Sequence, residues 1–107
     1  LNGQAIRVPV ADVSIVDLTV TLNKSVTKDE VIAEFKNAST GKLKGILGVD
    51  EEYRVSSDFN GETLSTVVPI DTIQVIGGNM VKVLSWYDNE WGYSTRLVEM
   101  GIHVATK

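Results

Sequence analysis

The feature that most constrains this chain is an abrupt change of hydrophobic pattern at Asp88 and Asn89. Residues 80–87 are apolar and β-branched, as is typical of a strand, whereas residues 91–105 carry apolar side chains at helical spacing. A strand therefore ends, and a helix begins, at these two residues. Short side-chain oxygens such as theirs can cap the free N–H groups of a helix start. The chain is expected to combine a sheet with a helix joined at this point.

Aromatic side chains crowd around this junction. Both tryptophans, Trp86 and Trp91, and two of the three tyrosines, Tyr87 and Tyr93, lie here. Each carries a large apolar body and one polar group, so together they could line a pocket for a planar ligand. The same cluster could instead belong to a hydrophobic core, which is the more frequent role of aromatics at such a junction. The pattern alone leaves both interpretations open.

Further strands are predicted along the chain. Residues 3–10 are expected to form a short strand that ends near Pro9, and residues 13–22 alternate apolar and polar side chains, with one dry face. A hairpin is predicted at 77–79, because two glycines and an asparagine separate two strand-like runs. The strands at either side of it cover residues 72–76 and 80–87. Shorter extended segments are predicted at residues 54–59 and 64–70.

One helix is predicted in the first half of the chain. Thr27 and Glu30 match a capping box, in which the side chain of each residue accepts a hydrogen bond from the backbone N–H of the other. Apolar residues follow at helical spacing until Gly41. Several strands, one mid-chain helix and one terminal helix indicate an α+β fold: a largely antiparallel or mixed sheet with helices on one face.

Composition excludes several classes of function. The 107 residues are 43% hydrophobic and 22% charged, which is typical of one soluble globular domain. A formal net charge of −4 gives no electrostatic footprint for nucleic acid or an anionic membrane. The absence of cysteine excludes disulfides, thiolate metal sites and a cysteine nucleophile, and His103 is the single histidine. No glycine-rich dinucleotide fingerprint follows a strand, and no metal site is expected.

The run SWYDNEWGYSTR at residues 85–96 resembles a signature near the C-terminus of phosphorylating glyceraldehyde-3-phosphate dehydrogenases. Five more blocks resemble that family in the same order. They are IRVP at 6–9, VDLT at 16–19, LKGILG at 43–48, VSSDF at 55–59 and NMVKV at 79–83. The resemblance implies that residues 1–88 are part of the catalytic, substrate-binding domain. It implies that residues 89–107 are a C-terminal helix that packs on a dinucleotide-binding domain outside these residues.

The resemblance also implies roles for individual side chains. Arg7 is the one charged residue in its apolar block, so on pattern alone it either snorkels from a strand or offers a planar donor fork to an anion. In the family, the matching arginine helps to bind the substrate C3 phosphate or inorganic phosphate. The matching asparagine, Asn89, binds the nicotinamide carboxamide, and Tyr93 lies near the nicotinamide ring. Tyr87 and Glu90 are expected in or next to this site.

The implied function is that of an oxidoreductase of glycolysis. Such an enzyme uses NAD and inorganic phosphate to convert glyceraldehyde 3-phosphate to 1,3-bisphosphoglycerate, as a cytoplasmic homotetramer. A cysteine and a histidine perform the covalent chemistry in the family, and neither is found at matching positions here. We therefore predict no catalytic residue in this chain and no activity from the 107 residues alone.

Two alternatives remain open at this stage. The chain could be a non-catalytic binding or assembly module derived from that fold, or part of a relative that acts on erythrose 4-phosphate. The choice of NAD over NADP depends on residues outside the chain. Three carboxylates, Asp17, Asp58 and Asp88, are weaker candidates for acid–base roles, because they lie on a regular strand or at turns and caps. His103, late in the last helix, is expected to interact with the helix dipole.

Overall fold

A mixed five-stranded sheet forms the centre of the structure, a computed structural model that describes residues 1–107. The strands are β1 Ser14–Thr21, β2 Leu47–Asp50, β3 Thr66–Pro69, β4 Gln74–Ile76 and β5 Met80–Tyr87. The helices are α1 Lys28–Thr40 and α2 Trp91–Ala105, with short 3₁₀ turns at Ser56–Phe59 and Ile70–Thr72. The predicted α+β class is confirmed.

β5 is the strand around which the sheet is built. It pairs antiparallel with β1 along its whole length and with β4 through the predicted hairpin, while β3 joins it antiparallel and carries β2 in parallel. The order across the sheet is therefore β1, β5, β3, β2, with β4 also on β5. Because β5 ends at Tyr87, the central strand leads directly into the junction with α2.

The hydrophobic core lies on both faces of the sheet. On one face, α1 covers a cluster in which Val68, Ile73 and Val81 are buried. On the other face, Val67 packs with Val13 and Phe59 in a second cluster. Val67 and Val68 are neighbours on β3, so their side chains point to opposite faces. Trp86, near the end of β5, packs against this second cluster.

The first turn of α1 is built as predicted. Thr27 Oγ1 accepts from the backbone N–H of Glu30 at 3.2 Å, and Glu30 Oε2 accepts from the backbone N–H of Thr27 at 2.7 Å. This hydrogen bond to the Thr27 backbone lowers the pKa of the Glu30 carboxyl. The predicted capping box is confirmed.

α2 extends from the sheet instead of lying on it. Gly92 is its one buried residue, and its apolar side chains are exposed along the whole helix. Arg96 anchors the helix one turn further on, donating to the Gly45 carbonyl at 3.1 Å and to Ser65 Oγ at 3.2 Å. Neither helix has the length and the apolar composition that a membrane-spanning segment requires.

Three local predictions were wrong. Residues 3–10 form no strand, because they have no neighbouring strand with which to pair. Residues 54–59, predicted to be extended, contain a 3₁₀ turn. The Asp58 carboxylate stabilises the start of this turn by accepting a hydrogen bond from Val55 N at 2.8 Å. β1 is a strand, but its apolar row is not dry: Val16 and Leu18 are over two-fifths exposed. β1 is an edge strand. The cluster that α1 covers includes Val20, near the end of β1, but neither Val16 nor Leu18.

Candidate functional site

The strand–helix junction is held by Asp88, a buried carboxylate. Its Oδ1 accepts from the backbone N–H groups of Glu90 at 2.9 Å and Trp91 at 2.8 Å, which are free at the start of α2. Its Oδ2 accepts from Gly61 N at 2.8 Å, which ties the junction to the loop before β3. Asp88 therefore performs the capping role, and the neighbouring Asn89 is left free for another one.

Two opposing effects act on the Asp88 carboxyl. Burial disfavours the ionised form, but the N–H donors of Trp91, Gly61 and Glu90 stabilise it. Their sum holds the pKa of Asp88 below its usual value. Asp88 is therefore a structural anion near neutral pH, which makes it unsuitable as a general acid or base.

Asn89 is exposed and points its amide toward the first residue of β1. Ser14 Oγ donates to Asn89 Oδ1 at 3.1 Å, and the amide Nδ2 makes no hydrogen bond within the chain. Two amide N–H groups are thus available at the surface. An exposed, oriented amide with free donors can bind a carbonyl oxygen of a ligand.

The aromatic residues near the junction were expected either in a hydrophobic core or in a ligand pocket, and the structure separates them into a core residue and exposed residues. Trp86 is half-buried and stacks on Phe59 with ring centroids 5.8 Å apart, so it belongs to the core. Trp91 and Tyr93, on the first turn of α2, are 57% and 67% exposed. Tyr87 is half-buried at the end of β5 and Glu90 is exposed. The exposed aromatics lie on the same short segment as Asn89.

Arg7 lies apart from this cluster in the described contacts. It is exposed on the irregular segment before β1 and is a member of none of the four ion pairs. A guanidinium with no internal partner is free to bind an anion. The structure thus brings Asn89, Tyr93, Tyr87 and Glu90 onto one segment, whereas Arg7 shares no contact with them.

Comparison with known proteins assigns the fold to a family. Residues 1–89 match the family model described as glyceraldehyde 3-phosphate dehydrogenase, C-terminal domain. The chain belongs to this family. It is 56% identical to glyceraldehyde-3-phosphate dehydrogenase 1 of Bacillus cereus and 52% identical to the dehydrogenase of Geobacillus stearothermophilus, each over 107 residues. It is 51% identical over 105 residues to the cytosolic dehydrogenase of Pinus sylvestris.

These matches cover the chain almost completely but the relatives only in part. The alignment includes 100% of the chain for the two bacterial proteins and 98% for the pine protein. It includes 32%, 32% and 31% of those relatives. The chain thus spans about a third of the length of the dehydrogenases it matches, and the resemblance drawn from its six motifs is confirmed.

The other candidate residues of this dehydrogenase domain lie outside the junction. Asp17 forms an ion pair with Lys82 across β1 and β5, and Asp58 closes the 3₁₀ turn. His103 is exposed in the last turn of α2, where a basic residue faces the negative end of the helix dipole. No group of three or more histidine, cysteine or acidic side chains could hold a metal ion.

Sequence reasoning missed two residues of the site. Ser14 contacts Asn89 although 75 positions separate them, and Gly61 binds Asp88 across 27 positions. No local pattern reports such contacts. The antiparallel pairing of β1 with β5, which sets Ser14 opposite Tyr87, is what brings Ser14 to the junction.

Proposed function

We propose that this chain supplies the nicotinamide-facing and phosphate-facing side chains of an NAD-dependent, phosphorylating glyceraldehyde-3-phosphate dehydrogenase. The observation that carries the proposal is Asn89, whose amide is exposed, held on one side by Ser14 and free to donate on the other. Family membership and the identity to three dehydrogenases support the same assignment. The oxidised product is 1,3-bisphosphoglycerate, formed in the cytoplasm as a step of glycolysis.

Asn89 and Tyr93 bind the nicotinamide in this proposal. A carboxamide offers one acceptor and two donors, and the free Nδ2 of Asn89 matches the acceptor. Tyr93 follows one helical turn later with its ring exposed, and Tyr87 and Glu90 flank the same segment. When bound, NAD supplies the hydride acceptor. The contribution of these residues is to orient the ring so that one face meets the substrate.

Arg7 binds phosphate in this proposal. Its guanidinium offers a rigid fork of N–H donors that suits the C3 phosphate of glyceraldehyde 3-phosphate or inorganic phosphate. The side chain is exposed and is neutralised by no internal carboxylate. The irregular backbone around Arg7 has no sheet partner. The position of Arg7 in the substrate complex is therefore determined by the substrate and by the surrounding enzyme.

Residues 1–88 act as part of the substrate domain, and residues 89–107 dock on a dinucleotide-binding domain. The support is the exposed apolar surface of α2, where Leu97, Met100 and Val104 are each more than half exposed. Exposed apolar surface of this extent usually marks an interface. The complete enzyme is proposed to be a homotetramer.

The test compares Arg7→Ala with Asn89→Ala in the full-length dehydrogenase. Loss of Arg7 should raise the KM for phosphate and for glyceraldehyde 3-phosphate, because a charged hydrogen-bond donor is removed. Loss of Asn89 should weaken NAD binding and slow hydride transfer. Initial-rate kinetics with each substrate varied in turn measures both effects. Unchanged kinetics in both variants would refute the assigned roles.

The 107-residue chain by itself should show no dehydrogenase activity with NAD, phosphate and glyceraldehyde 3-phosphate. It contains no cysteine to form the covalent intermediate of the family reaction. The assay is NADH formation at 340 nm on purified chain at high concentration, in parallel with the full-length enzyme. Turnover that scales with the concentration of pure chain would contradict the proposal.

A further inference from the structure

A single hydrogen bond joins the start of β1 to the cofactor-facing residue. Ser14 Oγ donates to Asn89 Oδ1 at 3.1 Å, across 75 residues of sequence. We propose that Ser14 is a positioning residue, which fixes the orientation of the Asn89 amide toward the nicotinamide carboxamide. This inference rests on the proposed function of Asn89.

The chemistry of a primary amide explains why it needs a partner. The oxygen and nitrogen ends of Asn89 are similar in size, so an exposed amide can rotate by half a turn and exchange its acceptor for its donors. The Ser14 hydroxyl can donate to Oδ1 or accept from Nδ2, so its hydrogen bond fixes the position and the plane of the amide rather than choosing between its two ends. In the structure it donates to Oδ1. Nδ2 then faces away from Ser14, with both N–H groups free for an acceptor oxygen of the ligand.

Both ends of this hydrogen bond are anchored. Ser14 begins the paired length of β1, opposite Tyr87. The residue before it, Val13, is buried with φ of 72°, an unusual value for a β-branched side chain that persists only where packing determines the backbone. At the other end, the three hydrogen bonds of Asp88 fix the backbone that leads to Asn89. The contact thus connects two rigid points and can hold the amide still.

The experiment uses the full-length dehydrogenase and four variants. They are Ser14→Ala, Ser14→Thr, Asn89→Ala and the double variant Ser14→Ala with Asn89→Ala. The NAD dissociation constant is measured by isothermal titration calorimetry, and the rate of hydride transfer by single-turnover kinetics. Thr19→Ala is the matched control, because Thr19 is an exposed hydroxyl on the same strand that makes no side-chain hydrogen bond.

Removal of the hydroxyl in Ser14→Ala should weaken NAD binding by about three- to tenfold, the usual effect of one hydrogen bond, and should slow hydride transfer. Ser14→Thr keeps the hydroxyl on a strand-forming side chain and should restore values close to the parent enzyme. In the Asn89→Ala background, Ser14→Ala should have no further effect, because its partner is already absent. Thr19→Ala should leave both quantities unchanged.

The two proposals fail in different ways. If Asn89→Ala weakens NAD binding but Ser14→Ala does not, the positioning role of Ser14 is overturned and the function of Asn89 stands. Equal losses for Ser14→Ala in both backgrounds would also overturn it, since they indicate a structural effect independent of the amide. If Asn89→Ala itself leaves NAD binding and hydride transfer unchanged, the proposed function of the site fails, and with it this inference.

Discussion

Asp88 shows how one residue can be buried and still carry a charge. Its carboxylate accepts three backbone N–H groups from two separate segments. These bonds outweigh the cost of burial, so the ionised form is preferred in the folded chain. The same three bonds define the junction that presents Asn89. The residue that gives the site its shape is therefore distinct from the residues proposed to bind the cofactor.

The lowered pKa of Asp88 makes stability dependent on pH. A group whose pKa is lower in the folded than in the unfolded state contributes stability above its unfolded pKa, about 4 for Asp. That contribution is lost as the pH falls below this value. We expect Asp88→Asn to lower the free energy of unfolding by about 1–3 kcal/mol at pH 7 and by less at pH 3.

Urea denaturation followed by tryptophan fluorescence at the two pH values measures this effect. Asp50→Asn is the comparison, because burial opposes ionisation there too, while Arg54 and two backbone N–H groups lower the pKa of Asp50. In each variant, the free energy of unfolding should fall less between pH 7 and pH 3 than it does in the parent chain. An equal loss at pH 7 and pH 3 for Asp88→Asn would disprove the electrostatic explanation.

Asp12 lies beside Asp88 at the junction, and its hydrogen bonding is incomplete. Its side chain interacts with the Asp88 carboxyl, and its Oδ1 is buried without a hydrogen-bond partner. An amide in its place could donate to the Asp88 carboxylate and would remove a contact between two acidic groups. We expect Asp12→Asn to raise the free energy of unfolding by about 0.5–1.5 kcal/mol at pH 7. Urea denaturation measures it, and Asp12→Ala, which supplies no donor, should not show the gain.

At the scale of elements, α2 is held by its first two turns and is free beyond them. Gly92 fits closely against the chain before β3: a Cβ at this position would lie 2.9 Å from the Leu64 carbonyl oxygen. Further along, Arg96 bonds to Gly45 O and Ser65 Oγ, whereas a Cβ at Gly101 would meet nothing within 4 Å. The helix is therefore attached to the rest of the chain through its first two turns, while its apolar side chains are exposed along its whole length.

The two glycines of α2 should respond to the same substitution in opposite directions. Gly92→Ala should lower the free energy of unfolding by about 1–3 kcal/mol, because a rigid backbone oxygen must move. Gly101→Ala meets nothing within 4 Å and should stabilise the helix by about 0.5–1 kcal/mol. Urea denaturation and far-UV circular dichroism measure the pair. A gain for Gly92→Ala would mean that the first turn of α2 does not lie against Leu64.

At the scale of the whole molecule, the chain has a small core and a large apolar surface. Only 12 of its 107 residues are buried, while most of the apolar side chains of α2 are exposed. Such an imbalance is typical of a surface that binds another domain or subunit. The proposed docking of α2 on a dinucleotide-binding domain explains why these side chains are apolar.

Truncations in the core and on α2 should therefore differ strongly in cost. In the 107-residue chain, Ile73→Ala should lower the free energy of unfolding by about 2–5 kcal/mol, because Ile73 is fully buried. Leu97→Ala should change it by less than about 0.5 kcal/mol. In the full-length enzyme, the cost of Leu97→Ala should rise if α2 is covered by another domain. Urea denaturation of both proteins makes the comparison, and an unchanged cost would refute the docking of α2.

Much of the architecture was predictable from local patterns. The Thr27–Glu30 capping box, the hairpin at residues 77–79 and the change from strand to helix after Tyr87 depend on residues close in sequence. Local hydrogen bonding and side-chain periodicity are sufficient to specify such features. The ordered motifs were likewise sufficient to identify the family. Asn89, Tyr93 and Arg7 were selected by that resemblance.

What the sequence by itself could not determine depends on contacts between distant segments. The absence of a strand at residues 3–10 follows from the lack of a neighbour to pair with, which no local pattern reports. The same holds for the division of the aromatics into a half-buried Trp86, which packs on the core, and an exposed Trp91. The Ser14–Asn89 hydrogen bond exists because β1 and β5 pair in one particular register. Register and burial are set by the packing of the whole chain, so only the tertiary structure decided them.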